Sequence, residues 1–409
     1  MDQNKKTPQV RFKGYTDTWE QRKLGEVAPL RGGYAFKSDE YKTEGTPIVR
    51  ISNILSDGSV GAEFAYYDDI EDDENITLGN GDALLAMSGA TTGKVSILKC
   101  NNIDKYYQNQ RVGYFERNEQ YNYGFVSTIV RSDLFKEQLT SVLVAGAQPN
   151  VSSKEIDSFE FMFPSSIEEQ EKIGQYFQNF DNLITLHQRK YNKLLNMKKA
   201  MLEKMFPQNG SIYPEIRFKG LTDAWEQRKW SDSVDISTEM VDPKTGIYDE
   251  LPHVAPGNIE SFTGQIYDNV KLVKDEDLIS GKFHFYDGDI IYGKINPQLG
   301  KYIFARFEGL TSADAYVLNA KNKVVQEYLF TILQTKDFFN YSVSVSKRSG
   351  MPKINRDELN AYSFLAPSKE EQKQIGELFL SLDNLITLHQ RKLEKLKNIK
   401  KVCLEKMFV

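Results

Sequence analysis

The feature that most constrains this chain is an internal duplication. The stretch PQVRFKGYTDTWEQRK at residues 8–23 recurs as PEIRFKGLTDAWEQRK at residues 214–229. A second pair is longer, because residues 168–206 match residues 370–408, and the sequence DNLITLHQRK is identical in both. Self-similarity at a fixed period is typical of one structural unit written twice. We therefore expect two copies of a single fold.

The middle of each repeat has diverged, and only a skeleton recurs there. The recurring pairs are Gly81-Asp82 and Gly93-Lys94 in the first copy, and Gly288-Asp289 and Gly300-Lys301 in the second. The shared skeleton predicts one fold, and the divergent remainder predicts two different surfaces displayed on it. A protein that recognises two different targets needs this pattern.

Each repeat ends in a predicted long helix. A Ser followed three residues later by a Glu, as in Ser166 to Glu169 and Ser368 to Glu371, is a capping-box pattern, so helices should begin near residues 167 and 369. Seam residues then recur at steps of three and four, as in a coiled coil. The seam is Ile173, Phe177, Phe180, Ile184, His187, Tyr191, Leu194, Lys198, Met201 and Met205 in copy one, and Ile375, Phe379, Leu382, Ile386, His389, Leu393, Leu396, Lys400, Cys403 and Met407 in copy two.

A helix of roughly 40 residues is about 60 Å long and cannot bury such a stripe on a small domain. Each long helix is therefore expected to pack antiparallel against the other. This packing would bring the midpoint residues His187 and His389 face to face, where a polar pair fixes helix register at a cost in stability. A metal pair is the alternative, although no carboxylate lies at ligand spacing. Off the seam the helices are basic, which indicates either a solvated face or a stripe that faces a partner or phosphate.

The variable segments combine strand-like and helical patterns, so we predict an α+β fold. Strand-like runs lie at 46–54, 82–89, 94–98, 250–259, 289–295, 301–307 and 315–319, and single helices are predicted at 125–143 and 324–343. The predicted organisation is an α+β domain at 1–164, a central helix at 165–206, a linker at 207–213, a second α+β domain at 214–367 and a C-terminal helix at 368–409; the two α+β domains are the target-recognition domains of the resemblance described below.

Predicted loops carry polar side chains that pair with base edges or neutralise phosphates. For any single Asn or Gln the alternative is turn formation or backbone capping. The stretch 344–356 has basic residues and no acid, which favours phosphate binding, whereas the acidic stretch 68–74 should face away from nucleic acid. The candidate DNA contacts are Arg50, Asn53, Ser88, Thr91, Lys94, Arg111, Gln148, Asn258, Lys294, Asn296, Gln298, Lys301, Lys347, Arg348 and Lys353.

Catalytic signatures fail throughout the chain. The stretch SGATTGKVS at 88–96 has the wrong spacing for a phosphate-binding loop and places Val95 where Ser or Thr binds magnesium. Two cysteines, Cys100 and Cys403, exclude a disulfide framework and a Cys-based zinc site, and they favour a reducing cytoplasm. No apolar run is long enough to span a bilayer, and residues 1–10 lack the apolar core of a secretion signal. We expect a chain that is not itself catalytic and holds no metal.

The chain resembles the specificity subunit of type I restriction–modification enzymes over essentially all 409 residues. The motifs that carry the resemblance are the openers RFKGxTDxWEQRK, the Gly-Asp and Gly-Lys skeleton, and the paired EEQxxIGxxFxxxDNLITLHQRK helices. The resemblance implies that each target-recognition domain reads one half of a bipartite, asymmetric double-stranded DNA sequence. It also implies that the helices set the spacer between the half-sites.

The same resemblance implies two methyltransferase subunits that dock on the helices and methylate adenine with S-adenosylmethionine. It further implies two restriction subunits that use ATP and magnesium, with no cofactor in this chain and a bacterial cytoplasmic location. The net charge of −5 predicts that the isolated chain binds DNA weakly. Three alternatives stay open: a self-contained methyltransferase or nuclease, a coiled-coil scaffold without DNA specificity, and a variant subunit that modifies without restricting.

Overall fold

The computed structural model describes residues 7–100, 105–145, 150–347 and 350–409. Contacts divide the chain into two compact units, one formed by Met1–Leu186 with Glu394–Val409 and the other by His187–Leu393. Each unit therefore combines one α+β domain with segments of both long helices. In the part of the chain described, every helix is too short or too polar to cross a bilayer.

The first α+β domain is built from short strands and helices, and a long helix follows it. Its elements are β1 (Glu20–Lys23), α1 (Leu24–Val27), β2 (Leu30–Arg31), β3 (Thr46–Val49), β4 (Ala65–Tyr67), β5 (Thr77–Leu78), β6 (Ala83–Ala86), β7 (Val95–Ile97), β8 (Tyr106–Gln108), β9 (Val112–Phe115), α2 (Tyr123–Ile129), α3 (Asp133–Ala145), α4 (Ser153–Asp157), β10 (Glu160–Phe163) and α5 (Ile167–Lys204).

The second α+β domain has the same kind of elements in the same order. They are β11 (Glu226–Lys229), α6 (Trp230–Ser233), β12 (Val234–Ile236), β13 (Met240–Val241), β14 (Pro252–Val254), β15 (Lys271–Leu272), β16 (Lys282–Phe285), β17 (Ile290–Gly293), β18 (Tyr302–Phe304), β19 (Gly309–Thr311), β20 (Ala315–Ala320), α7 (Gln326–Gln334), α8 (Lys336–Val345), α9 (Arg356–Asn360), β21 (Ser363–Ala366) and α10 (Lys369–Met407).

The two domains share one sheet topology. The order β2-β9-β6-β7 in the first domain corresponds to β12-β20-β17-β18 in the second, and β4-β3-β8-β5 corresponds to β15-β14-β19-β16, where β13 adds a fifth strand. The parallel pair β3 and β8 has its counterpart in β14 and β19. The repeated opener forms β1 or β11, which pairs antiparallel with β10 or β21 just before the long helix. The α+β class and the duplication predicted from the sequence are confirmed.

The prediction of one helix at 125–143 and one at 324–343 was wrong, because each stretch folds into two helices. The break falls at a buried hydroxyl residue that caps the second helix. Ser132 accepts a hydrogen bond from the Phe135 amide at 3.4 Å, and Thr335 accepts one from the Phe338 amide at 3.3 Å. A cap of this kind satisfies a free amide of the new helix and stops the first helix.

The long helices begin as predicted, but the capping box is only half formed. Ser166 caps α5 by accepting from the Glu169 amide at 3.3 Å. The Glu169 carboxylate does not return to Ser166; it accepts two hydrogen bonds, at 2.6 and 2.8 Å, from the guanidinium of Arg11 in the repeated opener. Arg217 and Glu371 repeat this bidentate pair at 2.7 Å. A planar guanidinium matches a carboxylate better than a backbone amide does, so the two repeated motifs bind each other.

One glycine interrupts each long helix where another backbone packs on it. A Cβ atom on Gly174 would lie 2.7 Å from the backbone of Gly124 and Phe125 at the start of α2. A Cβ atom on Gly376 would lie 2.8 Å from the backbone of Glu327 and Tyr328 in α7. Only glycine permits this approach, so the two glycines fix how each long helix docks on its own domain.

Candidate DNA interface

Three segments of the first domain converge at the end of strand β6. The Met87 amide donates to the Arg111 carbonyl at 3.0 Å, and the Val151 amide donates to the Met87 carbonyl at 3.0 Å. Met87, Arg111 and Val151 line an open cleft of about 650 Å³. The other residues that line it are Ser88, Gly89, Gln110 and Asn150. The cleft is large enough for a base edge or a phosphate group.

Two predicted contacts, Ser88 and Arg111, lie in this cleft together with Asn150. The Ser88 hydroxyl is buried and has no hydrogen-bond partner among the described residues, while Arg111 is exposed. A buried hydroxyl without a partner is rare because it costs free energy. The cleft therefore offers one hydroxyl group without a partner and one exposed cation to a ligand.

The equivalent place in the second domain lies at the end of strand β17. The Lys294 amide donates to the Asp314 carbonyl at 2.9 Å, and the Ile354 amide donates to the Lys294 carbonyl at 3.0 Å. The Asn296 amide also donates to the Pro352 carbonyl at 2.8 Å. These bonds bring three predicted contacts together, which are Lys294, Asn296 and Lys353.

Cations concentrate around the Tyr316 ring at this place. The Lys294 ammonium lies 5.3 Å from the centroid of the ring, and the Arg356 guanidinium lies 5.7 Å from it. Burial lowers the pKa of Lys294, and repulsion by Lys353 and Arg356 lowers it further, against the attraction of Asp314. The sequence list omitted Arg356, although the basic stretch 344–356 contained the signal. It missed Tyr316 because a buried strand tyrosine looks like core.

Two predicted contacts are structural residues. Asn53 is fully buried, where its side chain accepts from the Arg50 amide and donates to the Gly61 and Glu63 carbonyls. Asn258 caps the equivalent turn by accepting from the Ala255 amide at 2.9 Å. Capping of a turn was the alternative for any single Asn, and both side chains make such bonds. The prediction that Asn53 contacts DNA is wrong because this residue is fully buried, whereas a base contact by the half-buried Asn258 stays a prediction.

Other predicted residues lie in the neighbouring turns. The Thr91 hydroxyl donates to the Ile51 carbonyl at 3.2 Å, and Lys94 Nζ donates to Ser56 Oγ at 2.8 Å. Lys301, the counterpart of Lys94, donates to the Pro256 and Ile259 carbonyls at 2.7 and 2.9 Å. The lysine of the recurring Gly-Lys pair thus ties two loops together in each domain, and a DNA contact by Lys94 or Lys301 stays a prediction.

The remaining candidates are exposed or half-buried, or they lie outside the described chain. Arg50 extends over the Tyr41 ring at 5.8 Å, and Gln298 donates to Asn296 at 3.3 Å. Lys347 is exposed just after α8. Gln148 and Arg348 fall outside the described residues.

The acidic stretch 68–74 is partly neutralised within its own domain. Lys105 Nζ lies 2.7 Å from Asp73 and 3.2 Å from Asp69, and Lys42 Nζ lies 3.2 Å from Asp68. These pairs lower the net charge of the stretch, but its orientation relative to DNA stays a prediction.

Seam residues of the two long helices meet as antiparallel partners within each unit. In the second unit, His187 Nδ1 lies 2.8 Å from His389 Nδ1, and burial together with the charges of His187, Lys190 and Lys392 lowers the pKa of His389. The role of this pair in register stays a prediction. Among the described residues, no group of three His, Cys, Asp or Glu side chains could hold a metal ion.

The seam lysines, which the heptad pattern treated as apolar positions, form ion pairs. Lys198 Nζ lies 2.5 Å from Asp383 Oδ1, and Lys400 Nζ lies 2.5 Å from Asp181 Oδ1. The sequence analysis missed both aspartates, although each opens the identical ten-residue stretch. A lysine at a heptad position that is normally apolar could have predicted these pairs, because a buried ammonium group requires a carboxylate partner.

A family model described as the type I restriction modification DNA specificity domain matches residues 16–196 and again residues 223–398. The two matches follow the two repeats and cover most of the chain. They include the cleft of the first domain and the cationic cluster of the second.

Curated proteins and solved structures are similar to this chain. The type I restriction enzyme EcoDI specificity subunit from Escherichia coli is 29% identical over 210 residues, which are 50% of this chain and 46% of that protein. The match thus spans about half the length of that relative. The putative type I restriction enzyme MjaX specificity subunit from Methanocaldococcus jannaschii is 24% identical over 94% of this chain and 91% of its own.

The fold is also found in a crystal structure of a type I restriction–modification system S subunit from M. genitalium. That structure has a TM-score of 0.70 at 12% sequence identity and covers 98% of this chain and 99% of its own. The TM-score indicates a common fold, but at this sequence identity the similarity does not extend to individual side chains.

Proposed function

The chain belongs to the family of type I restriction–modification DNA specificity proteins, and from this membership we propose that it is the DNA sequence-recognition subunit of a type I restriction–modification complex. Each α+β domain reads one half of a bipartite, asymmetric sequence in double-stranded DNA. The chain itself carries out no catalysis and acts in the bacterial cytoplasm.

One observation carries the proposal: equivalent backbone positions of the two domains carry side chains of different charge and polarity. Met87 in the first domain corresponds to Lys294 in the second. In each case the backbone amide donates to the loop before β9 or β20, and the backbone carbonyl accepts from the segment before α4 or α9. By the same bonds Arg111 corresponds to Asp314. A common scaffold with dissimilar side chains at one place is what two different half-sites require.

We propose that two methyltransferase subunits dock on the long helices, one on each repeat. Each identical DNLITLHQRK stretch leaves two leucines of similar exposure on the helix surface, at 44% and 46% for Leu183 and Leu186 and at 44% and 45% for Leu385 and Leu388. Exposed apolar residues that lie outside the helix–helix seam favour a protein partner. Because the same face occurs twice, the partner is expected to bind twice.

The partners supply the chemistry in this account. The methyltransferase subunits use S-adenosylmethionine to methylate adenine, and two restriction subunits add ATP- and magnesium-dependent cleavage. The specificity chain needs no cofactor. A helix of 38 residues is about 57 Å long at 1.5 Å per residue, and we propose that the long helices fix the spacer between the half-sites, as dimer geometry fixes half-site separation elsewhere.

Long-read methylation mapping tests the proposal. DNA from cells that carry the chain with its methyltransferase partner is compared with DNA from cells that carry the partner alone. We expect one new methylated motif made of two specific halves and a fixed non-specific spacer. No motif, or a motif that does not depend on this chain, contradicts the proposal.

A methyl-transfer assay separates the proposal from a self-contained methyltransferase. The purified chain is incubated with S-adenosylmethionine and DNA that contains the mapped motif. We expect no transfer until the methyltransferase subunits are added, and transfer by the chain alone contradicts the non-catalytic role. A restriction assay with phage DNA then distinguishes a full system from a variant that only modifies.

A further inference from the structure

We propose that Phe262 reads a thymine in the half-site of the second domain, by packing its ring against the methyl group of that base. This inference rests on the proposed DNA-binding function. It adds a residue that lies outside the set of candidate contacts and assigns to it one chemical group of the DNA.

The backbone of Phe262 adopts a conformation that a bulky residue rarely takes. Its φ angle is +64°, in the left-handed region where the Cβ atom crowds the following carbonyl oxygen. Glycine or asparagine is the usual residue there, so a phenylalanine costs free energy. Strained residues persist where the surrounding structure holds them, and they concentrate at functional sites.

Neighbouring residues hold Phe262 in this conformation. Its amide donates to the Gly300 carbonyl at 2.8 Å, and its carbonyl accepts from the Tyr302 hydroxyl at 3.1 Å. The ring packs against Gly300, where an added Cβ atom would lie 2.3 Å from Phe262 Cε1. The Phe339 ring meets it edge to face, with the centroids 5.6 Å apart. The side chain is therefore held rigidly, although Phe262 is 51% exposed.

The ring lies beside the candidate interface of the second domain. Gly300 ends the turn 296–300, which carries the predicted contacts Asn296 and Gln298. The Asn296 amide donates to the Pro352 carbonyl at 2.8 Å, next to the end of strand β17. Phe262 thus packs on the same turn that presents two predicted contacts.

An exposed apolar ring beside polar contact residues has one matching group in the major groove. All base pairs present hydrogen-bond donors or acceptors there, but thymine alone also presents a methyl group, which apolar side chains such as Phe contact. Packing the ring against this methyl group removes apolar surface of both partners from water. The exposed part of Phe262 is available for the contact in the structure as it stands.

The first domain has no aromatic residue at the equivalent turn. Its loop 55–59 corresponds to the loop 260–265, because an isolated antiparallel bridge closes each of them. The first loop carries Asp57, whose carboxylate accepts from the Ser59 amide at 3.0 Å. A carboxylate gains nothing from a methyl group, so we expect this thymine contact in one half-site only.

Replacement of thymine by deoxyuridine, which lacks only the methyl group, tests the contact. The full chain with its methyltransferase subunits is titrated onto duplexes that carry the mapped motif. Each thymine is replaced in turn within the half that stays unchanged when residues 30–150 are exchanged. We expect one replacement to weaken wild-type binding about fourfold, the factor that corresponds to one buried methylene group.

The variant Phe262→Gly removes the ring, and glycine suits the left-handed backbone. It should bind the unmodified motif more weakly than the wild type and should not respond to the same thymine replacement. Tyr286→Ala is the matched control, because Tyr286 is an aromatic residue of the same domain that is 46% exposed. Its hydroxyl donates to the Glu239 carboxylate at 3.3 Å, and a carboxylate is repelled by DNA. This control should keep the fourfold loss.

Photocrosslinking identifies the contact without a variant. With 5-iododeoxyuridine at the sensitive position, ultraviolet light should join the wild-type chain to the DNA at Phe262, and peptide mapping locates the bond. A crosslink to another residue overturns the proposal.

The outcomes separate the thymine contact from the function. If every deoxyuridine duplex binds as tightly as the unmodified one, or if Phe262→Gly responds as the wild type does, the contact is overturned and the proposed function stands. A folded Phe262→Gly chain that fails to assemble with the methyltransferase subunits indicates a protein contact and overturns it too. If the wild-type complex shows no preference for the motif, the proposed function fails and the contact fails with it.

Discussion

Within the second unit, Lys198 Nζ lies 2.5 Å from Asp383 Oδ1, and both groups are buried between the long helices. The first unit repeats the pair as Lys400 and Asp181 at the same distance. The pairs differ in their third member, because Arg131 also contacts Asp181 at 2.7 Å, whereas the neutral Gln334 contacts Asp383 at 3.3 Å. Ion pairs in a mostly apolar seam favour one register of the two long helices over registers in which the charges do not meet.

The residue that joins each ion pair, Arg131 for Asp181 and Gln334 for Asp383, helps to shift the pKa values of the two aspartates in opposite directions. Burial opposes the ionisation of Asp181, but Arg131 and Lys400 together outweigh it and lower the pKa. Burial also opposes the ionisation of Asp383, and the single cation Lys198 does not offset it, so the pKa is raised. The two copies therefore have the same geometry but a different electrostatic balance.

The first prediction compares the neutral variants Asp181→Asn and Asp383→Asn. Loss of Asp181 leaves two half-buried cations, Arg131 and Lys400, without their carboxylate. It should lower the free energy of unfolding by about 3–5 kcal/mol, the range for a broken buried ion pair. Loss of Asp383 leaves one buried cation, Lys198, without its carboxylate, but it also removes a carboxylate whose ionisation burial already disfavours. A smaller cost of about 1–3 kcal/mol is therefore expected. Urea titration of both variants measures the difference. Equal costs, or a larger cost for Asp383→Asn, contradict the account.

The second prediction concerns His389 and pH. The pKa of His389 is lowered in the folded chain, so near the unfolded value of about 6.5 the unfolded chain binds the proton more tightly. The stability that neutral His389 provides is present above that pH and is lost as the pH falls through the window down to the lower folded pKa. The melting temperature of the wild type should therefore fall more between about pH 7.5 and 5.5 than that of His389→Gln. The same fall in both proteins excludes this role.

The third prediction concerns the glycine of α10. Alanine has a higher helix propensity than glycine, by about 1 kcal/mol, but a Cβ atom on Gly376 meets the Glu327 and Tyr328 backbone at 2.8 Å. We expect Gly376→Ala to destabilise the chain by about 1–3 kcal/mol, as overpacking does. Gly257→Ala is the control, because no atom lies within 4 Å of its added Cβ. Calorimetry that shows Gly376→Ala to be as stable as the control contradicts the close packing.

The fourth prediction concerns the cleft of the first domain. Arg111→Ala removes its exposed cation, and loss of a base contact costs about 1–3 kcal/mol of discrimination at one position. We expect methylation mapping to show a relaxed base in one half of the motif and an unchanged second half. Lys347→Ala, an exposed cation of the second domain, should leave that first half unchanged. Relaxation in both halves contradicts a separate reading by each domain.

The sequence predicted what depends on repetition and periodicity. The duplicated fold, the starts of the long helices and the contact between His187 and His389 all followed from motif spacing. The prediction failed where a single buried side chain decides the structure, as at Ser132 and Thr335, because a polar residue inside a helical pattern does not reveal whether it caps a new helix. Arg11 and Glu169 stand far apart in sequence, so their bidentate bond could not be read from either motif.

The candidate interface was harder to predict than the fold. The sequence singled out polar loop residues as a group of DNA contacts, and this stays a prediction. The structure adds that the side chains of Asn53, Asn258 and Lys301 make hydrogen bonds within their own domains. Whether an amide or an ammonium group is free depends on which carbonyl lies within reach, and this follows only from the folded loops.

The most direct test of the central claim exchanges one reader and leaves the other. Residues 30–150 are replaced by the corresponding segment of another family member, which keeps β1, β10 and both long helices, and the methylated motif is mapped. The account predicts that one half of the motif changes while the other half and the spacer length stay the same. A motif that does not change, or one in which both halves change, would contradict it.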